Sequence, residues 1–380
     1  MPTSADAIVV GGGIVGMSTA YHLVRAGVET VLIDRADAGR ATDAGAGILS
    51  PETNTRDPDI WFDLAVDAVD YYPTLMDNLL ADQADDVGYS RCGALVVAMA
   101  DDDVAAFEAT QQRIIDRRDQ RSQPTPDELH TMSPVEAGEL MPPLGDIAGA
   151  IWNANACRVD GRLLNRALRR AAEHRGLTVI DGSVDELILG RGKVTGVRCA
   201  GEPVHAGATA IAGGAWSSTF GDQIGVDIPI EPQRGQIIHV DLPGTDTSTW
   251  PIISALGSQY MVPWPDSRIV VGASRETGSG FATGTTVAGV HEVLGEALRV
   301  APGLKQGHIR EVRVGLRPVA ADSMPVLGDV GGVSGVHLAT GHGPTGLTLG
   351  PYSGHLVAQQ MLGQVPSSDI TAFHVSRFAS

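Results

Sequence analysis

The chain has 380 residues, about two and a half times a typical ~150-residue domain, so two cores are expected rather than one. Hydrophobic residues make up 43% of it and charged residues 19%, a balance that excludes a disordered chain. With 27 basic and 45 acidic side chains the net charge is -18, and no Lys/Arg-rich run is present to follow a phosphate backbone, so nucleic acid is not expected as a partner.

Ala7 to Val10 is a short apolar run, Ile14 to Ala26 has helical periodicity and stops at Gly27, and Val28 to Ile33 is apolar again with Asp34 closing it. That order predicts a strand, helix, strand unit whose parallel strands open a crevice at their carboxyl ends. Trp61 to Leu80 and Val104 to Arg118 read as helices, and Tyr89 to Met99 between them as a strand. A second α/β unit begins at Arg162, where Leu163, Leu164, Ala167, Leu168, Ala171 and Ala172 share one helical face, Gly176 ends the helix, and Leu177 to Ile180 follows as a strand. From Ile228 to Ala273 short strands alternate with turn residues, including Pro263 to Ser267, which predicts an antiparallel sheet. Thr286 to Val300 reads as a helix on that sheet. Val336 to Ala339 is a strand entering a glycine-rich turn, and a final helix starts at about Leu347. The expected fold is α/β: a nucleotide lobe over 1–85, 145–220 and 312–380, with a substrate-binding lobe over 86–144 and 221–311 inserted into it.

Cys92, Cys157 and Cys199 are odd in number and form no Cys-x-x-Cys pair, so neither a disulfide framework nor a metal site is expected, and a cytoplasmic location fits. The first seven residues lack a basic leader. The apolar stretch from Ile8 is broken by Gly11, Gly12, Gly13 and Gly16 before it reaches the ~30 Å of a bilayer core, so no integral membrane segment is expected and peripheral attachment is left open.

Gly11-Gly12-Gly13-Ile14-Val15-Gly16 satisfies G-x-G-x-x-G directly after a strand and at the opening of a helix. Gly11 suits the tight turn, Gly13 lets the backbone approach a pyrophosphate, and Gly16 lets the helix pack closely on the strand. The free amides at Ile14 and Val15, at the positive end of the helix dipole, then face phosphates. Asp34 ends the second strand, where a carboxylate accepts from ribose hydroxyls. This fingerprint does not separate NAD from FAD.

Further segments do. Ala41-Thr42-Asp43-Ala44-Gly45-Ala46-Gly47-Ile48-Leu49, Arg234-Gly235-Gln236, Gly315-Leu316-Arg317-Pro318, Asp322-Ser323-Met324-Pro325-Val326-Leu327-Gly328 and Gly341-His342-Gly343-Pro344-Thr345-Gly346-Leu347-Thr348 follow one another in an order that resembles the D-amino-acid oxidase family of flavoproteins, in particular its glycine oxidase-like branch. The resemblance implies an FAD-binding Rossmann-like domain of the glutathione reductase type with an inserted antiparallel-sheet substrate domain. It implies FAD with its adenine end at Asp34 and Arg35, its length along Thr42, Gly45, Ala46, Gly47, Val184, Gly213, Gly214 and Trp216, and its ring system at Gly343, Thr345, Gly346, Leu347, Thr348 and Arg317. No cysteine near Asp322 to Gly328 and no histidine within Ala41 to Leu49 is available for attachment, so the FAD is expected to be non-covalent. By the same resemblance Arg317 grips a substrate carboxylate, Tyr260 hydrogen-bonds it, and His342 is the motif histidine near the reaction. Arg234 is expected to be structural or pocket-lining. One departure stands out: relatives of the glycine oxidase type carry a further substrate Arg after the Gly-His pair, where this chain has Gly343-Pro344-Thr345, which puts glycine itself in doubt as the substrate.

The implied activity is FAD-dependent oxidation of a small amino acid or secondary amino acid (D-amino acid, glycine or N-methyl type), with hydride passing from Cα to flavin N5 and the imine hydrolysing to an oxo acid. Oxygen or another acceptor takes the electrons, and homo-oligomerisation is left open. Two alternatives remain at this stage. One is a 2-hydroxy-acid dehydrogenase or oxidase, which would need His342 as base; the other is a non-catalytic nucleotide-binding module.

Overall fold

The computed structural model of the chain describes residues 2–54, 58–82, 85–100, 102, 104–257 and 259–379. Ala7–Val10, four apolar residues all buried, runs through the middle of a nine-stranded sheet. Thr30–Asp34 and Ala208–Ile211 flank it in parallel, and Thr178–Asp181 and Val333–Thr340 extend the parallel set. Covered on both faces, Ala7–Val10 and the stretch 31–33 need no polar alternation, which is why they read as unbroken apolar runs. The helices Ile14–Arg25, Gly161–His174 and Gly346–Met361 pack on one face. On the other, Leu187, Val194, Val197 and Val204 of an antiparallel ribbon meet Ile8, Val10 and Val31.

Local chemistry sets the element ends. Gly161–His174 begins where Asp160 Oδ1 accepts the amides of Arg162 and Leu163 at 2.9 and 3.0 Å, a cap worth about 1 kcal/mol. The helix expected over Trp61 to Leu80 is two helices, Asp59–Asp70 and Tyr72–Ala81; Pro73 lacks the amide that would continue the first and is favoured in the first turn of the second.

The second layer is an eight-stranded sheet in the order His308–Ala320, Ile230–Asp241, Arg268–Gly272, Tyr260–Trp264, Ile252–Ala255, Ala94–Met99, Ile147–Asn153, Leu129–Met132. It is antiparallel except where Ile252–Ala255 runs parallel to Ala94–Met99, a crossover that turn residues alone did not signal. Pro263, read as the start of a turn, lies inside Tyr260–Trp264. By sheet membership Ile147–Asn153 and all of His308–Ala320 belong to this layer, so the limits expected at 145 and 312 differ from the layer limits. An apolar run does not announce which sheet it joins. The helix Val287–Val300 covers this sheet through Val293, Ala297 and Val300.

Close helix contact brings two helix starts to one place. Gly350 and Gly354 of Gly346–Met361 lie against Ile14–Arg25; a Cβ at Gly350 would stand 3.1 Å from Val15 Cγ2, and one at Gly354 2.7 Å from the Val15 carbonyl. Pro351 removes the amide that would bond the Leu347 carbonyl four residues back, and the Tyr72 hydroxyl donates to that carbonyl instead. The first turn of the last helix is thereby anchored from outside.

Candidate active site

A continuous cavity of about 1730 Å³, counting the open space at its mouth, runs from the carboxyl ends of the parallel strands to the second sheet. Gly11, Gly13, Ile14, Val15, Asp34, Arg35, Thr42, Gly45, Ala46, Gly47, Val184, Gly213, Gly214, Trp216, Tyr260, Arg317, His342, Gly343, Gly346, Leu347 and Thr348 all line it. Two expected residues do not. Gly16 is set back: a Cβ there would run into the Gly11 carbonyl and stand 3.0 Å from Ala212 Cβ, so its bareness lets helix and strand approach. Thr345 folds onto the His342 carbonyl, by its amide at 3.0 Å and its hydroxyl at 2.9 Å, closing the turn that precedes the last helix.

At the nucleotide end, Gly11 holds φ +107° and a Cβ would lie 2.8 Å from the Ala212 carbonyl carbon, so only glycine fits. The first helix has Gly13 as N-cap, which offers no side chain of its own to the first amides. Thr42 Oγ1 takes the Ile14 amide at 3.0 Å. Gly12, not singled out from sequence, faces Asp34: a Cβ there would come within 2.7 Å of Oδ2. Arg40 Nη1 donates to the same oxygen at 2.8 Å and fixes the carboxylate. Arg35 lies over the Trp216 ring at 5.9 Å, and Phe281 stacks on that ring at 5.4 Å. The structure thus provides a glycine-floored cradle under open helix amides with a fixed carboxylate beyond it, which fits a dinucleotide's pyrophosphate and ribose.

Midway, Leu347 fills the notch of two glycines; a Cβ at Gly45 would be 2.5 Å, and one at Gly161 2.9 Å, from its Cδ1. The Thr348 hydroxyl donates to the Ile48 carbonyl at 3.0 Å. The last helix has no side-chain cap, and its first residues Gly346, Leu347 and Thr348 line the cavity. His342 sits in this wall 2% exposed, and neither ring nitrogen has open surface or a partner among the described residues. Burial lowers its pKa to about 4, so the ring is neutral.

The other end of the cavity is built on one face of the second sheet. Register pairs Gln233 with Arg317, Gly235 with Gly315, and Gly272 with both Ile237 and Tyr260. The Arg317 guanidinium lies flat over Gly235, where a Cβ would be 2.5 Å from Cζ, and the Tyr260 ring lies over Gly272, where a Cβ would be 2.8 Å from the hydroxyl. Arg317 Nη1 donates to the Ser274 carbonyl at 3.0 Å and to Gln233 Oε1 at 3.3 Å, both neutral. Burial lowers its pKa from the usual arginine range, and burial raises that of Tyr260, with the nearby Arg317 charge opposing the rise. Ile237, Ala273, Ala46 and Ile48 supply an apolar flank.

On the opposite face, Arg234 pairs with Glu276 at 2.6 Å, and Glu276 Oε1 accepts from Gln236 at 2.6 Å and from Ser274 at 2.8 Å. This network pins residues 274–276 to the strand Ile230–Asp241, the structural part expected of Arg234. Sequence reasoning missed Gly12, Arg40 and Arg275 as cavity residues. Gly12 was visible inside the glycine run; Arg40 and Arg275 carried no local signal.

An extended cradle joined to a cationic, half-apolar chamber defines a dinucleotide-dependent enzyme class. A family model for FAD-dependent oxidoreductases matches residues 6–360, and the chain belongs to that family, with FAD as its cofactor. The uncharacterized oxidoreductase YurR of Bacillus subtilis (strain 168) is 37% identical over 367 residues, 96% of this chain and 97% of that protein. Glycine oxidase of the same organism is 26% identical over 377 residues, 98% and 97% of the two chains. The structure of iminodiacetate oxidase from Chelativorans sp. BNC1 superimposes with a TM-score of 0.91 at 37% identity, covering 97% of this chain and 98% of that one. Among the described residues no helix is long and apolar enough to cross a membrane.

Proposed function

We propose that the chain oxidises a small amino acid or secondary amino acid at its C-N bond. The observation that carries this reading is Arg317: a partly buried guanidinium with two neutral acceptors and no carboxylate pairing among the described residues. A cation held so is costly unless a ligand supplies the anion, and its planar fork matches a carboxylate. The names of the glycine oxidase and iminodiacetate oxidase relatives, both for carboxylate-bearing amines, support the same class.

Bound FAD would supply the hydride acceptor at N5. Arg317 would hold the substrate carboxylate and Tyr260 would donate its hydroxyl hydrogen to the same group, which fixes the direction of the adjacent Cα. The apolar flank of Ile237, Ala273, Ala46 and Ile48 disfavours a charged ammonium, so the amine enters neutral and its lone pair assists departure of hydride, with no side-chain base required. We assign no proton transfer to His342: its shielded nitrogens make it a wall residue. That argues against a hydroxy-acid substrate, which needs a base.

Anaerobic absorbance of the purified protein tests this. Bleaching at 450 nm, about where oxidised flavins absorb, is expected with one or more of sarcosine, glycine, iminodiacetate and D-amino acids. Bleaching by 2-hydroxy acids alone overturns the reading. Arg317→Ala is expected to keep its colour and lose roughly 10²- to 10³-fold in kcat/KM. Unchanged turnover removes Arg317 from the mechanism.

A further inference from the structure

Beyond Glu276 the chain leaves the second sheet as a strap. Side chains alternate along 274–276, so Arg275 lines the cavity on the face of Arg317 while Ser274 and Glu276 are tied down on the opposite one. Residues 277–285 then cross to the nucleotide lobe before the helix Val287–Val300 begins. Both ends of the strap are fastened to Ile230–Asp241: Gln233 Nε2 donates to Thr277 Oγ1 at 3.0 Å, the Arg234 amide to Ser279 Oγ at 3.3 Å, and Arg234 Nη1 to the Gly284 carbonyl at 3.5 Å. No residue of the strap is buried, and among the described residues none of them hydrogen-bonds to the nucleotide lobe.

The tip of the strap touches both lips of the nucleotide end. Thr30–Asp34 and Ala208–Ile211 pair with Ala7–Val10 from opposite sides, so the segments that follow them, 35–40 and 212–220, stand on either side of the turn at Gly11. Phe281 stacks on Trp216 of one lip, with ring centroids 5.4 Å apart and 25° between planes. Thr283 packs on Gly39 of the other, where a Cβ would run into Thr283 Cγ2. Arg35 reaches from its own lip over the Trp216 ring at 5.9 Å, which joins the lips beneath the strap. Arg35 and Trp216 line the cavity, whereas Phe281 and Thr283 do not reach it. Phe281 is 48% exposed and belongs to no core cluster, so what its ring contributes is the stack on Trp216. Gly278 and Gly280 precede the tip at φ +77° and +56° and Gly284 follows it, so the backbone on both sides can absorb a swing.

We propose that residues 277–285 gate the cofactor: FAD enters and leaves the nucleotide end when the strap lifts from Trp216 and Gly39. This rests on the dinucleotide lying along Gly11 to Asp34, and not on which amine the enzyme oxidises. Phe281 holds the tip to protein groups and not to the ligand. Its stack therefore adds equally to the barriers for entry and exit, setting the rate of exchange and leaving the affinity nearly unchanged. A group in contact with the ligand would instead slow release alone.

The test is cofactor exchange in wild-type, Phe281→Ala and Phe281→Trp holoenzymes. Each is incubated with excess isotope-labelled FAD and the label bound to protein is followed by mass spectrometry; the Kd comes from free-flavin fluorescence on serial dilution. Phe281→Ala is expected to exchange about tenfold faster with a Kd within about threefold of wild type, and Phe281→Trp, which keeps an aromatic face, to exchange within about twofold of wild type. Exchange unchanged within about twofold in Phe281→Ala overturns the proposal. So does faster exchange matched by an equal rise in Kd, which leaves uptake untouched, or equal acceleration in the alanine and tryptophan variants. No substrate enters either measurement, so failure of the amine-oxidation reading leaves this result standing, and failure here leaves that reading standing.

Discussion

The two ends of the cavity are built by opposite means. At the nucleotide end the cavity wall is backbone and bare glycine within one short segment, Gly11 to Val15, completed by Asp34 and Thr42. At the substrate end it is made of long side chains from residues 235 to 317, brought together by strand pairing, with glycines serving as seats for a guanidinium and a phenol ring. The first arrangement tolerates almost no added atom because the backbone itself is the binding surface. The second tolerates change better, because a flexible side chain can move aside.

Gly16→Val should break the nucleotide end outright. The new side chain would drive the first helix off the strand, costing roughly 2–4 kcal/mol, and the purified protein should be colourless and melt lower. A yellow variant with an unchanged melting temperature would mean that helix and strand have slack at this crossing. Gly235→Ala sharpens the contrast. Its Cβ displaces only the end of Arg317, so colour should persist and stability should change by less than about 1 kcal/mol, while kcat/KM falls roughly 10- to 100-fold through KM. Equal loss of stability and turnover would show the substrate end to be as rigid as the nucleotide end.

The smallest effect concerns the wall between them. Burial lowers the pKa of His342 to about 4, and those of His22 behind the nucleotide end and His239 in the second sheet to about 3. Each native value lies below the ordinary 6.5, so the unfolded chain binds more protons on acidification. The associated stability is present above pH ~6.5 and is lost as pH falls toward the native values, at ~1.4 kcal/mol per unit for each group. Urea unfolding at pH 7.5 and 5.0 should show this loss, and His342→Gln should reduce the difference by roughly 2 kcal/mol. An identical pH difference in the variant would mean that His342 is not held neutral.

The two ends also differed in how legible they were. The glycine fingerprint, Asp34 and the helix starts could be placed from sequence because their geometry is local, a turn and the few residues beside it. Arg317 and Tyr260 were placed only through resemblance of whole segments. Arg40 and Arg275 were not placed at all, since an arginine's neighbours depend on which strands pair and on which face each residue points. The parallel pairing of Ile252–Ala255 with Ala94–Met99 was missed for the same reason.

By itself the sequence determined the strand, helix, strand nucleotide unit, most helix limits and the family, because periodicity, capping and glycine spacing act over a few residues. Tertiary structure decided that 147–153 and 308–320 join the second sheet, that His342 is shut into a wall, and that Arg275 shares a face with Arg317 while Glu276 does not. Those outcomes depend on register between segments far apart in the chain, where a shift of one residue turns a side chain from the cavity to the opposite face.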